Sequence, residues 1–148
     1  MSVKVKIEVK DDKQFKKLLK DANKYTLEVG YFADKRYEDG TYASQVAVSN
    51  EYGRPENNVP PRPFMRKTAS KHSNDWKDFV QVRVNGKAEW RDILQDLGVM
   101  VEEDISDMIA RWATPPNAPS TIKRKGFNDP LVDTGNMMLD FLDIRIKR

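Results

Sequence analysis

A chain of 148 residues is about one domain long and can bury roughly two thirds of its unfolded surface, enough for a single core. Hydrophobic residues make up 39% and charged residues 33%, with three Trp, five Tyr and six Phe, which is too much core material for a disordered chain. The absence of cysteine excludes disulfides and thiolate zinc sites and fits a reducing compartment.

The net charge of +3 is unevenly placed: residues 1 to 24 hold eight Lys against four acids, residues 54 to 91 nine basic residues against four acids, and residues 92 to 111 six acids against one Arg. Such a two-sided distribution is either ordinary solvated charge, or a positive face for DNA phosphate or an acidic partner with a negative face for a neighbouring subunit.

In chain order, the opening "MSVKVKIEVK" places Val3, Val5, Ile7 and Val9 on one side and Lys4, Lys6, Glu8 and Lys10 on the other. This is the period-two pattern of a half-buried strand and neither a signal peptide nor a membrane span, so synthesis and folding in the cytoplasm are expected. "DDKQFKKLLKDANK" follows with Phe15, Leu18 and Leu19 at helical spacing behind two aspartates suited to a helix N-terminus. "YTLEVGYF" alternates again through Tyr25, Leu27, Val29 and Tyr31, and "ADKRYEDGTY" reads as a polar loop with an Asp-Gly turn. The two strands belong to one antiparallel or mixed sheet.

"ASQVAVSNEYG" predicts a brief helix with Val46, Ala47 and Tyr52 turned inward and Gly53 at its end. Pro60, Pro61 and Pro63 then stiffen an extended bridge, because proline fixes φ and drives the preceding residue out of the helical region. A helix begins at Pro63, with Phe64, Thr68, Lys71, Asp75 and Phe79 along adjacent turns. The alternation of Val80, Val82 and Val84 before an Asn-Gly pair leaves a closing strand as the alternative to continued helix.

Residues 88 to 112 carry Trp90, Ile93, Leu94, Leu97, Val101, Ile105, Met108, Ile109 and Trp112 on one helical stripe with acids opposite. Pro115 and Pro116 end that helix. Asn117 is suited to cap a short helix ending at Gly126, with Lys123, Arg124 and Lys125 in its last turn, and Asp133 and Thr134 before Gly135 read as a turn or cap. "LDFLDIRIKR" alternates through Leu142, Ile144 and Ile146 as a last strand that rejoins the sheet. The expected architecture is α+β, a small mixed or antiparallel sheet packed against a long amphipathic helix and shorter helices, in one domain over 1–148.

No catalytic constellation emerges. His72, the single histidine, lies between Lys71 and Ser73 in what reads as a solvent-facing helical stretch, so there is no histidine pair for a metal, and no cysteine nucleophile is present. No serine sits in a G-x-S-x-G elbow, no glycine-rich phosphate loop occurs, and the acids from 102 to 107 lack calcium-loop spacing. The expectation is a protein without catalysis, cofactor or metal.

Two punctuated segments remain, "NEYGRPENNVPPRPFMR" and "PPNAPSTIKRKGFNDPLVDTG". Asn50 to Gly53 with Val59 to Phe64, and Ala118 to Gly126 with Pro130 to Gly135, resemble the paired "NEFG…IPPRPF" and "LAPSTIxRKG…PLIDTG" signatures of the virion-morphogenesis or tail-completion proteins of long-tailed bacteriophages, a family of minor tail and neck components. The resemblance covers about residues 25 to 148. It departs at Tyr52, at Val59 and in the "NMMLDFLDIRI" run after Gly135.

The resemblance implies a structural virion protein of the tail or neck, assembled in the host cytoplasm. It would act in tail completion and head-to-tail joining as a homo-oligomeric ring, with capsid-connector and tail-tube or tail-terminator proteins as partners, non-specific contact with packaged DNA, and no membrane. The proline bridge is expected to project Phe64 and the basic helix outward, ready to dock. Arg62, Phe64, Arg66, Lys123, Arg124 and Lys125 are the candidate subunit or partner interface. The alternative is a small basic nucleic-acid-binding protein, which predicts steeply salt-dependent DNA binding.

Overall fold

The computed structural model describes residues 2, 3, 16 and 20–148. Among the described residues three strands form one sheet in the order β1 (Ser2–Val3), β2 (Thr26–Gly30), β3 (Asp143–Lys147), both pairings antiparallel. Val29 lies opposite Ile144 and Leu27 opposite Ile146, so the alternation in each strand turns the same face toward the helices. Ser2 and Val3 pair with Gly30 and Val29; the rest of the first expected strand, through Val5, Ile7 and Val9, and the helical spacing of Phe15, Leu18 and Leu19 lie outside the described residues. The Asp-Gly turn is present: Tyr37 and Thr41 are joined by a main-chain hydrogen bond of 2.9 Å, and Asp39 Oδ1 accepts from Thr41 N at 2.9 Å.

Among the described residues, beyond a helical stretch at 20–22, the helices are α1 (Ala43–Tyr52), α2 (Phe64–Asn85), α3 (Trp90–Ala110), α4 (Pro119–Lys125) and a single turn, α5 (Asn136–Leu139). α3 packs against α2 and also against β2 and β3, and it holds α5 at its C-terminal half. The architecture is α+β. α2 runs unbroken past Phe79, with Val80 and Val84 buried one turn apart and Val82 exposed between them; three valines that alternate in sequence take a helical period once Trp76 sets the buried face. That face is Phe64, Met65, Thr68, Trp76, Val80 and Val84, and of the residues expected along adjacent turns Lys71 and Asp75 lie in solvent.

The apolar stripe of α3 is buried as its spacing requires, through Trp90, Ile93, Leu97, Val101, Ile105 and Ile109, with Trp112 buried in the turn beyond. α2 and α3 are joined by more than apolar contact: Trp76 Nε1 donates to Asp104 Oδ2 at 2.7 Å, and Arg83 pairs with Asp96 at 2.5 Å. On the other side the sheet approaches α3 at Gly98, where a Cβ would lie 2.5 Å from Ile144 Cγ2 and 3.3 Å from Leu27 Cδ1. Glycine is a poor helix former, so its place here follows from that close approach. Nearby, the Glu102 carboxyl is pushed up from the ordinary glutamate value by burial and then by the negative charges of Asp143 and Glu103.

Two outcomes follow from this packing. Gly98→Val forces β3 off α3 and lowers stability by about 1–3 kcal/mol in a urea unfolding curve, the usual cost of overpacking. Glu102→Gln makes the protein more stable at pH 7, because a carboxyl raised in the folded state opposes folding while ionised. That gain shrinks on acidification and disappears below the ordinary glutamate pKa of about 4.3, when both folded and unfolded wild-type chains carry the proton.

Candidate functional site

The first motif is built around a carboxylate. Glu51 is fully buried, and its side chain accepts from Met65 N at 2.9 Å and from Arg66 N at 3.1 Å, the free amides in the first turn of α2. Pro63, at the N-cap of α2, gives no side-chain cap, so Glu51 supplies from α1 the acceptor that a local Ser or Asp would otherwise provide. The carboxylate also suits the positive end of the helix dipole. Arg66 completes the contact, with Nε 2.8 Å from Glu51 Oε1, Nη2 on the Glu51 carbonyl at 3.2 Å and its guanidinium 4.8 Å above the Tyr52 ring. Tyr52 is 57% exposed, so the inward position expected for it belongs to its acidic neighbour.

Gly53 makes this geometry possible. Its φ of 73° is left-handed, and a Cβ there would lie 2.7 Å from Val59 O and 2.8 Å from Pro61 N. Between them Arg54 and Val59 exchange two main-chain hydrogen bonds around the short turn Pro55–Asn57, and Arg62 N donates to Asn50 O at 2.6 Å. The proline bridge is thus folded back on the end of α1.

The second motif is locked to the first. Arg62 is 6% exposed, and its guanidinium donates through Nε to Pro115 O at 3.1 Å and through Nη2 to Pro116 O at 3.0 Å; burial lowers its pKa from the ordinary arginine value. Downstream, α4 begins with Ala118 at its N-cap and ends at Gly126, left-handed at φ 85°, whose N–H reaches Ile122 O. Asn117 does not cap it. Instead Asn117 N donates to Asn128 Oδ1 at 3.0 Å. Lys125 Nζ is held by Asp129 O at 2.8 Å and by Val132 O, with its pKa lowered chiefly by burial, so this cation pins the "PLVDTG" turn. That turn ends at Gly135, left-handed at φ 86°, with Thr134 Oγ1 accepting from Asn136 N at 3.4 Å. The next turn is tied to β2's end, where Tyr31 OH donates to Met137 O at 2.6 Å.

These segments enclose a recess of about 270 Å³. Val46 and Asn50 from α1, Asn117, Arg124, and the 130–137 segment line it, with the 37–41 turn on one side.

Of the six residues expected at an interface, the structure takes Arg62 and Phe64 inside. Phe64 is fully buried, 6.1 Å edge-on from Tyr31. The expected outward projection is corrected accordingly, since both anchor the start of α2 to the body of the chain. Arg66 is bound to Glu51 yet its side chain is 59% exposed. Lys123 and Arg124 are exposed, Arg124 lying 3.3 Å from Asp133, and Lys125 is half-buried. His72 is not solvent-facing: its side chain is 21% exposed, stacked on Trp76, with Nδ1 3.5 Å from Asp104 and 3.6 Å from Asp75. The contributions of Glu51 and Asn128 escape sequence reasoning, and Asn117, expected as a helix cap, has a different role; "NEYG" followed at a distance by a proline-capped helix was the available signal for the first.

Among the described residues no cluster of His, Asp and Glu is arranged to hold a metal ion, and no helix is long and apolar enough to cross a membrane. Comparison of the chain with protein-family models, with curated proteins and with solved structures finds no match, so the family resemblance rests on the motif residues themselves.

Glu51→Ala leaves two helix amides without an acceptor, and its expected cost is about 2–4 kcal/mol in chemical unfolding. Arg66→Ala takes the cationic partner from a fully buried carboxylate but leaves its two amides, and costs about 1–3 kcal/mol, less than Glu51→Ala.

Proposed function

We propose that this chain is a structural virion protein of a long-tailed phage, acting in tail completion and head-to-tail joining as a ring of copies. The observation that carries the reading is the union of the two signature segments: Arg62 of the first donates to the Pro115 and Pro116 carbonyls at the start of the second, and Asn50 and Val46 share a recess with the "PLVDTG" turn. Segments that resemble one family's two motifs in the right order thus serve one another. The pattern supports a scaffold whose special residues hold a shape.

That chemistry suits assembly. A surface preorganised by buried hydrogen bonds loses little conformational entropy when a partner docks. The exposed cations Arg66, Lys123 and Arg124 and the exposed acids of α3 offer contacts of both signs to capsid-connector and tail-tube or tail-terminator proteins, and charge complementarity of that kind sets register and choice of partner.

The test is electron microscopy of a lysate from a phage carrying this gene with an early stop codon, beside the intact control. Filled heads and finished but unattached tails are the expected result. Complete, normal particles overturn the reading and move DNA binding through the basic surface to the front, to be followed by gel-shift titration across salt.

A further inference from the structure

The recess between the two motifs holds donors whose pairing is incomplete. Asn117 lines it, is 8% exposed, and its side-chain Nδ2 has no acceptor among the described residues. A buried donor left unpaired costs about 1–3 kcal/mol, and native chains keep few of them. Arg124 lies on the same wall, with Lys123 beside it on α4, exposed and without a partner among the described residues. The two acids lining the recess are already occupied: Asp39 Oδ1 accepts from Thr41 N at 2.9 Å, and Asp133 holds Arg124 at 3.3 Å. The latter is a long, exposed pair, the kind that contributes little and exchanges readily.

A surplus of acceptors lies on the outer stripe of α3. Asp92, Asp96, Glu103 and Asp107 are exposed along it. Asp96 and Asp107 have Arg83 and Arg111, whereas Asp92 and Glu103 have no cation among the described residues. Glu103 also crowds Glu102, whose carboxyl already sits near Asp143. A cation brought to this stripe would relieve that repulsion.

Resting on the ring element of the function proposed above, we propose that the recess receives an acidic side chain from α3 of a second copy, so that copies join head to tail. A ring closed by one repeated contact needs two different patches that complement each other, and this chain carries a donor-rich concave patch and an acceptor-rich convex one on separate elements. A carboxylate fits the recess better than a DNA backbone does. Asp39 and Asp133 on its wall repel a continuous run of phosphates more strongly than they repel one side chain, which accepts directly from the exposed Arg124.

The experiment is sedimentation velocity of the full chain over a range of concentration and salt, comparing wild type with Arg124→Glu, Glu103→Lys and the chain carrying both. Both positions are exposed, and circular dichroism melts verify that each variant stays folded. Wild type assembles, less so as salt rises. Each single change raises the half-assembly concentration at least tenfold, about 1.4 kcal/mol, and the chain with both changes recovers, because the reversed charges meet at every contact.

Single variants that assemble like wild type, or a doubly changed chain that stays dissociated, overturn the inference and leave the joining function standing with its ring formed through another surface. A wild-type chain that never self-associates overturns it as well, while the lysate microscopy reports separately on joining. If Arg124→Glu weakens binding to a duplex oligonucleotide but not self-association, the recess faces phosphate and the inference fails.

Discussion

One buried carboxylate sets the course of the chain between α1 and α2. Glu51 closes the first turn of a 22-residue helix whose N-cap is a proline, so the direction of α2 is tied to the end of α1. Everything downstream inherits that direction: Phe64 enters the core against Tyr31, Trp76 reaches Asp104, and α3 is left with its other side free for the sheet. A carboxylate taken wholly out of water is tolerated because its oxygens meet main-chain amides and a guanidinium. Gly53 is the backbone's share of the arrangement, since the bridge passes too close for any Cβ.

Two further polar locks carry the same logic outward. Arg62 spans from the proline bridge to the Pro115 and Pro116 carbonyls, and Lys125 gathers the carbonyls that shape the 129–132 turn. Each of these charges terminates on backbone, so each specifies where a loop runs more than which side chain it meets. A surface made of loops is ordinarily its most variable part; here the loops are cross-braced, and the recess among them has a defined wall. Rigid loops around a concave patch lose little conformational entropy on docking, which suits the contact between copies proposed above.

Much of the fold was legible. The alternation in "YTLEVGYF" and "LDFLDIRIKR" gave strands that pair, and the stripe from Trp90 to Trp112 gave the buried face of α3, because burial on one side imposes its period directly on the residues. The length of α2 was harder: Val80, Val82 and Val84 fit either period, and what decides for helix is the packing of Trp76, Val80 and Val84 on α3, a tertiary fact. The polar residues misled for a related reason. Arg62 and Phe64 follow prolines and so read as projecting, and Glu51 sits beside Tyr52, the more obvious core candidate. Their burial depends on partners far along the chain, Pro115 and Pro116 for Arg62 and the start of α2 for Glu51, and no local pattern announces such partners.

The sheet has a consequence for how the chain is made. β2 pairs along its whole length with β3, Val29 opposite Ile144, while α2 and α3 pack as neighbours joined by a short turn. Local contacts favour early formation of the helical hairpin, whereas β2 can meet its partner only once β3 has been made. A chain without β3 displays an unpaired strand edge, open to pairing with another chain. Only a chain extended through β3 covers that edge of β2.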